Sequence, residues 1–286
     1  MRRTFYEWLS GSTTAPELDE ATKRQLVAEV PFWFHGIDLG DGIITPGRCP
    51  LHNLIEETAR MALPDLAGKS VLDIGTWDGY FAFEAERRGA SRVVALDHYV
   101  WSLDLPAKNA YSQRCRSAGI PPEEYHLVPG LWQPETLPGK KAFDTARAIL
   151  GSRVEPVVAD FMTADLTPLG QFDIVFFRGV LYHMKNPLGA LERVFSLTRE
   201  LAIIETAAIR IPDKESAALF EFYGSSELNA DISNWWAPNA TALSKCCLAA
   251  GFRETKVVFE TAADPGHTAA LSADVERLRI TLHAWK

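Results

Sequence analysis

The fold is decided by the stretch Val71-Leu72-Asp73-Ile74-Gly75-Thr76-Trp77-Asp78-Gly79-Tyr80-Phe81. The apolar run at residues 70–74 predicts a buried strand, and the pattern of residues 79–88 predicts an amphipathic helix directly after a glycine turn. A strand, a tight turn and a helix in this order open a nucleotide-binding α/β unit. The alternative is a glycine turn that serves only the packing of the helix on the strand.

A second predicted strand, residues 91–97, ends in Asp97, about 20 residues after the first glycine of the turn. An acid at this place can accept hydrogen bonds from both hydroxyls of a ribose. A dinucleotide site would need the pattern G-x-G-x-x-G, but Trp77 stands at the second glycine position and no glycine at the third. The bulk of Trp77 therefore argues against a pyrophosphate. The pattern D-x-G-x-x-x-G with a later acid instead resembles motifs I and II of class I S-adenosylmethionine (SAM) methyltransferases.

Composition limits the class of protein further. The chain has 286 residues, 47% of them hydrophobic, and a formal net charge of −8, which predicts one large α/β domain with an appendage. No apolar run is long enough to span a membrane, and the N-terminus lacks the apolar region of a secretory signal. The four cysteines lack metal-ligand spacing, so we expect free thiols and a cytoplasmic protein. The acidic balance argues against a general nucleic-acid binder.

Residues 1–66 are predicted to form an N-terminal helical and aromatic lid segment, and residues 67–286 a SAM-binding domain. Helices are expected at residues 17–30 and 51–63, on either side of a loop that is dense in aromatic side chains. Trp33 and Phe34 in this loop either lie across the domain as part of a lid or fill the core. His35 is either a structural residue or a contact to the substrate.

From residue 67 onward, strands and helices alternate, which predicts a Rossmann-like fold with a parallel sheet. The third strand runs into Asp160, which either accepts from an adenine amino group or caps a helix. The fourth strand, residues 172–177, continues into Arg178 and then Tyr182 and His183. Because open sheets bind ligands beyond the carboxyl ends of their strands, these residues are well placed for chemistry. Residues 123–139 and 208–238 are expected to be excursions from the sheet.

Two longer stretches, FDIVFFRGVLYHMKNPLGAL at 172–191 and WWAPNATALSKCCLAAGF at 235–252, resemble the wobble-uridine tRNA (carboxy)methyltransferase family. The likeness spans roughly residues 31–286. It implies a mostly parallel seven-stranded sheet with an antiparallel last strand, together with SAM-type cofactor contacts. The matching cofactor contacts are Gly75, Asp97, Asp160, Phe161, Arg178 and Tyr182.

One departure from that family affects the predicted donor. Its carboxymethylating members place lysines upstream of motif I, which partly serve to pair the extra carboxylate of carboxy-SAM. Residues 31–51 of this chain contain no lysine, and Arg48 is their only arginine. An unpaired buried carboxylate is costly, so we predict ordinary SAM as the donor and S-adenosylhomocysteine (SAH) as the product.

The predicted function is methyl transfer to a small-molecule acceptor at oxygen, nitrogen or carbon. A tRNA wobble uridine is the alternative acceptor, and tRNA as a partner is disfavoured; a binding protein that has lost catalysis is a third hypothesis. No metal site or membrane contact is expected, and the sequence does not predict the oligomeric state.

The predicted site combines three sets of side chains. Donors or acceptors at strand ends would bind the cofactor: Asp73, Gly75, Thr76, Gly79, Tyr80, Asp97, His98, Asp160, Phe161, Arg178 and Tyr182. The candidate bases are His183, His35 and Glu205. Aromatic faces tolerate a sulfonium, so Tyr80, Trp33 and Trp77 are candidate neighbours of it. The substrate would contact Phe34, Trp235 and Trp236, which form an apolar roof or else pack against each other without a cavity.

Overall fold

The computed structural model describes residues 18–229, 231–262 and 275–286. Its strands, in chain order, are β1 (Ser70–Ile74), β2 (Arg92–Asp97), β3 (Glu155–Val158), β4 (Phe172–Arg178), β5 (Thr198–Arg210), β6 (Phe220–Phe222), β7 (Trp236–Pro238), β8 (Glu254–Ala262) and β9 (Glu276–Trp285). Seven of these strands form one sheet in the order β3-β2-β1-β4-β5-β9-β8, and β6 pairs with β7 separately.

The sheet confirms the fold class that the sequence predicts. Neighbouring strands from β3 to β5 are parallel, whereas β9 runs antiparallel to both β5 and β8. The chain reverses its lateral direction between β1 and β4, so the crevice beyond their carboxyl ends is a topological switch point. The glycine turn after β1 opens into this crevice.

The helices are α1 (Glu20–Ala28), α2 (Leu51–Arg60), α3 (Tyr80–Arg87), α4 (Leu105–Ala118), α5 (Lys141–Leu150), α6 (Pro187–Leu197) and α7 (Ala240–Ala250). Short polar side chains fix several of their starts. Asp104, for example, accepts from the backbone N–H of Ala107 and so begins α4 at Leu105. Asn239 caps α7 in the same way, and Gly251 ends that helix at φ 118°. Among the described helices, none is long and apolar enough to cross a membrane.

The N-terminal segment shares a hydrophobic cluster with one face of the sheet. Trp33, Ile37 and Leu54 are buried in the same cluster as Val71 of β1 and Ile203 of β5. The indole nitrogen of Trp33 donates to the carbonyl of Val27 at 3.2 Å. Trp33 therefore fills the core. The expectation that its ring lies beside the sulfonium does not agree with this position. The division of the chain at residue 66 stays a prediction.

The sequence at residues 201–206 predicts a fifth strand, and β5 extends well beyond it. It pairs with β9 continuously from Leu201↔Trp285 to Arg210↔Glu276, so its hydrogen-bonding partner continues past the apolar run. Ala207, Ala208 and Ile209 of the extension are also buried, so the pairing with β9 and not a loss of burial sets where the strand ends. The extension matters for the site because β9 pairs along it. This pairing places Arg279 of β9 opposite Ala207, two residues beyond the partner of Arg178 in β4.

Candidate active site

The turn after β1 has the backbone that its glycines predict. Gly75 and Gly79 have φ angles of 75° and 93°, which strain any residue with a side chain. A Cβ on Gly79 would lie 2.7 Å from the rings of Phe83 and Phe143, so this glycine serves helix packing. A Cβ on Gly75 would lie 2.4 Å from Val180, in the segment after β4. The turn thus approaches the end of β4 closely.

Asp97 joins the end of β2 to this turn. One carboxylate oxygen accepts from the backbone N–H of Trp77 at 3.0 Å and the other from that of Val100 at 3.1 Å. Burial raises the pKa of Asp97 to about 6, although these hydrogen bonds oppose the rise. Each oxygen can accept a further hydrogen bond, which suits a ribose diol.

A second buried acid, Asp73, lies on the other side of the turn. Its carboxylate accepts from the hydroxyl of Thr76 at 2.7 Å. Burial raises the pKa of Asp73 to about 6, while the Thr76 hydrogen bond and the charges of His35 and Arg178 oppose the rise. The predicted cofactor residues Asp73 and Thr76 are therefore hydrogen-bonded to each other. The charges that act on Asp73 belong to His35 and Arg178, two other predicted residues.

Asp78 is a residue of the candidate site that the sequence interpretation missed. Its fully buried carboxylate accepts from the backbone N–H groups of Phe34 and His35 at 2.8 and 2.9 Å, and it also contacts the Nδ1 atom of His35. These bonds hold the aromatic loop on the glycine turn, where Phe34 stacks on Trp77 with ring centroids 3.9 Å apart. The available signal was an acid inside the glycine turn.

Arg178 lies at the end of β4, beside the turn. Its side chain is buried, donates to Glu57 of α2 and lies over the ring of Phe81 at 4.3 Å. In the part of the chain that the structure describes, its Nε and Nη1 atoms have no hydrogen-bond partner. Tyr80 is buried nearby, and its hydroxyl lies 3.4 Å from that of Thr58.

Glu205, a candidate base, is already engaged by an arginine. Arg279 of β9 donates to both of its carboxylate oxygens, at 2.5 and 2.9 Å. Burial opposes ionisation, but the charge and hydrogen bonds of Arg279 hold the pKa of Glu205 below its ordinary value. A low pKa and a bidentate partner suit Glu205 to positioning Arg279, whose guanidinium lies 5.2 Å from the centre of the Tyr182 ring.

The excursion after β5 covers the segment that follows β4. The backbone N–H of Trp235 donates to the carbonyl of Tyr182 at 2.7 Å. Asp231 forms an ion pair with Lys108 of α4 at 3.0 Å, and Lys185 lies 4.7 Å from the centre of the Trp235 ring. The excursion is therefore anchored both to α4 and to the segment that follows β4.

The same excursion fixes the proton on His183. The hydroxyl of Ser233 donates to Asp231 at 2.7 Å, so its oxygen can only accept from the His183 ring. Nδ1 of His183 lies 3.0 Å from this hydroxyl and 3.0 Å from the Ser233 carbonyl, which is also an acceptor. Nδ1 therefore carries the proton and Nε2 the lone pair. Burial lowers the pKa of His183, which favours this neutral form.

The remaining predicted residues have other partners. Asp160 is exposed and accepts from the backbone N–H of Met162 at 2.7 Å, so it caps a turn, while Phe161 is buried against Phe177. The ring of His98 meets that of Trp132 edge-on at 5.2 Å. Trp236 belongs to β7 and packs on Phe220 and Phe222.

These residues fit SAM as a cofactor. Two carboxylates, Asp73 and Asp97, flank the turn, and the buried donors without a partner among the described residues include Nε1 of Trp77 and two guanidinium nitrogens of Arg178. A ligand with a ribose, an ammonium and a carboxylate would complement this set. When bound, SAM supplies a methyl group already activated by its sulfonium.

The strand order, the antiparallel β9 and the glycine turn at the switch point define a class I SAM-dependent methyltransferase. A family model described as a methyltransferase domain matches residues 50–257, and the chain belongs to this family.

Relatives and solved structures agree with this class. A tRNA U34 carboxymethyltransferase of Idiomarina loihiensis is 28% identical over 197 residues, covering 68% of this chain and 49% of the relative. One of the same name from Alteromonas mediterranea is 26% identical over 204 residues, covering 71% of this chain and 49% of the relative. The chain thus spans about half the length of these curated relatives. The SAH-bound N-terminal domain of EvdMO1 shares the fold, with a TM-score of 0.61 and 16% identity over 96% of this chain and 99% of that one.

Proposed function

We propose that this SAM-dependent methyltransferase acts on the wobble uridine of tRNA. The observation that carries the proposal is the shared name of the curated relatives, tRNA U34 carboxymethyltransferase, across about two thirds of this chain. This reverses the order of the two acceptors that the sequence suggested. The tRNA wobble uridine becomes the first candidate and the small molecule the second.

The aromatic surfaces of the site support a planar acceptor. Phe34 and Trp77 are stacked beside the donor turn, and Trp235 lies over the segment that holds Tyr182 and His183. Proteins that modify a base hold it outside the nucleic-acid stack, between aromatic or apolar side chains. In this proposal, the N-terminal segment acts as a lid that Asp78 holds over the cofactor.

His183 is proposed as the base that removes a proton from the acceptor. Its Nε2 atom carries the lone pair because Nδ1–H donates to Ser233. A neutral imidazole can take a proton from an O–H or N–H group as the nucleophile attacks, which typically contributes about 100- to 10,000-fold in rate. Glu205, paired with Arg279, is proposed to position its neighbours, and His35 to hold the lid.

A small-molecule acceptor remains the second candidate because of the charge of the chain. Acidic residues number 37 and basic ones 29, which gives the formal net charge of −8. Affinity for a phosphate backbone depends on lysine and arginine side chains that release counterions. Several of the basic side chains are already paired with acids, including Lys108 with Asp231 and Arg92 with Glu155.

Two measurements distinguish the acceptors. The protein is incubated with SAM and bulk tRNA lacking the modification, and the digested nucleosides are analysed by mass spectrometry for the gain of one methyl or one carboxymethyl group. A gel shift at increasing salt tests tRNA binding separately. We expect a methylated wobble uridine and salt-dependent binding. Unmodified tRNA, together with methyl transfer to a member of a small-molecule panel, would overturn the tRNA proposal in favour of the second candidate.

A further inference from the structure

Asp231, in the excursion at residues 208–238, connects His183 to helix α4. One of its carboxylate oxygens accepts from the backbone N–H and from the hydroxyl of Ser233, at 2.9 and 2.7 Å. The other oxygen accepts from the ammonium of Lys108 at 3.0 Å. Because the two oxygens have different partners, the carboxylate is fixed from both sides. Ser233 continues this chain of hydrogen bonds to Nδ1 of His183, which lies 3.0 Å from its hydroxyl.

Helix α4 holds the far end of the chain of hydrogen bonds. The side chain of Lys108 is 19% exposed, and its ammonium also lies 4.7 Å from the centre of the Tyr125 ring. Tyr125 is buried, and its hydroxyl lies 3.2 Å from that of Ser112, one turn further along α4. The ion pair of Lys108 with Asp231 is thus mostly shielded from water, where opposite charges attract each other more strongly than at the surface.

The groups around the His183 ring determine how readily it takes up a proton. The charged groups that face it are Asp231, Lys108 and Arg279, and the titratable Tyr182 packs on it with ring centroids 4.3 Å apart. Burial lowers the pKa of His183, and the negative charge of Asp231 opposes this fall, whereas the charges of Lys108 and Arg279 add to it. Since burial disfavours an imidazolium, Asp231 is the group that compensates for it.

We propose that Ser233 and Asp231 are positioning residues for methyl transfer, which hold His183 for proton removal and stabilise the imidazolium that results. The proton leaves an O–H or N–H bond of the acceptor and forms a bond to Nε2, and the electron pair left on the acceptor attacks the methyl group. The proton on Nδ1 stays there, bonded to Ser233, and none moves on to Asp231. The inference rests on the methyl transfer proposed above, with His183 as its base.

NMR of the protein labelled with ¹⁵N at histidine tests the inference without any acceptor. A titration gives the tautomer and the pKa of His183, whose signals are assigned by their loss in His183→Gln. Asp231→Asn removes the charge, Ser233→Ala removes the hydroxyl, and Ser233→Thr keeps it. Glu155→Gln is the matched control, because it removes the acid of a separate ion pair, the one with Arg92. Melting temperatures show whether each variant is folded.

We expect Nδ1–H in the unmodified protein and a lower pKa of His183 in Asp231→Asn and in Ser233→Ala. Ser233→Thr and Glu155→Gln should retain the pKa of the unmodified protein. A merely structural role predicts the opposite change, since loosened packing admits water and raises the pKa toward its ordinary value. An unchanged or raised pKa in either of the first two variants would overturn the inference, as would Nε2–H in the unmodified protein. If Asp231→Asn does not fold, Ser233→Ala against Ser233→Thr decides by the same criterion.

Turnover with tRNA and SAM then tests the effect on the reaction. In Asp231→Asn, kcat should fall about tenfold, the size expected for one charge-assisted hydrogen bond, while KM for SAM stays nearly constant. The acid limb of the kcat profile should move to lower pH, because the neutral imidazole is the active form and its pKa has fallen. An unchanged kcat and acid limb would contradict a positioning role. Absence of tRNA methylation by the unmodified protein would count against the tRNA acceptor alone, because the NMR titration does not depend on it.

Discussion

The proposed donor side of the site and its proposed acceptor side are built from different kinds of contact. On the donor side, Thr76 bonds to Asp73 three residues away and Trp77 to Asp97 twenty residues away. On the acceptor side, His183 meets Ser233 at a separation of 50 residues, and Lys108 meets Asp231 at 123. The centre of the first side is made by one turn and the strand next to it, although Glu57 holds Arg178 there from 121 residues earlier. The second exists only when distant segments have packed together.

This difference explains why the cofactor could be predicted more securely than the acceptor. The turn between β1 and α3 can adopt few backbone conformations, because its φ angles require glycine and its acids follow adjacent strands. The excursion at residues 208–238 can pack in many ways. Four experiments test this contrast, beginning with the largest expected effect.

On the acceptor side, His183→Gln should lower kcat by about 100- to 10,000-fold while SAH affinity stays nearly constant. The active form is the neutral imidazole, so the rate should fall as pH decreases through the pKa of His183. Since burial lowers this pKa, we expect the fall below the ordinary value of 6.5. The facing charges are Asp231, Lys108 and Arg279. A pH profile of kcat, with exposed His126→Gln as control, checks this. An acid limb that persists unchanged in His183→Gln would exclude His183 as the base.

In the N-terminal segment, two adjacent aromatic residues should behave differently. Trp33→Ala should lower the free energy of unfolding by about 3–5 kcal/mol, because it empties a core site. Phe34→Ala should cost about 1–2 kcal/mol and reduce methyl transfer, because the half-buried ring stacks on Trp77 beside the donor turn. Urea unfolding and turnover at a temperature where both variants are folded measure the two effects. Equal stability losses with unchanged turnover in Phe34→Ala would show that the loop is not part of the site.

On the donor side, Asp97→Ala should weaken SAH binding by about 1–3 kcal/mol through the loss of a buried hydrogen-bond acceptor. Asp160→Ala should weaken it by less than about 1 kcal/mol, since the Asp160 side chain is exposed and can be replaced by water. Calorimetry at one salt concentration compares the two variants. Unchanged affinity in Asp97→Ala would remove this residue from the site.

The smallest expected difference concerns the choice of donor. SAM should bind at least as well as carboxy-SAM, with a ratio of dissociation constants of about 1–10, because residues 31–51 contain no lysine and Arg279 is already paired with Glu205. Competition between the two donors for the same protein sample gives this ratio. A clear preference for carboxy-SAM would mean that another cation reaches the donor.

The order and type of the strands were predictable because each depends on a short, local pattern. The apolar run of β1 matches the predicted residues 70–74, and β4 covers the predicted residues 172–177. Element ends were less predictable where a neighbour decided them. Strand β5 is longer than its apolar run because β9 pairs with it to Arg210.

Within the site, the sequence pointed to most side chains but not to their partners. Asp78 stands in the quoted turn, yet its role depends on the amides of Phe34 and His35, which are more than 40 residues earlier. Arg279 is a charged residue between the buried Leu278 and Ile280 of β9, a signal that could have been noticed. Its bidentate bond to Glu205 changes that acid from a candidate base into a proposed positioning residue.

The sequence by itself determined the class I methyltransferase fold and the donor turn, because strand periodicity and glycine conformations are properties of the local chain. Only the tertiary structure decided that Trp33 fills the core while Phe34 stacks on the turn, which tautomer His183 adopts, and that Arg178 keeps unpaired nitrogens. Hydrogen bonding and burial depend on which groups meet after the chain has folded, and residues distant in sequence supply those groups.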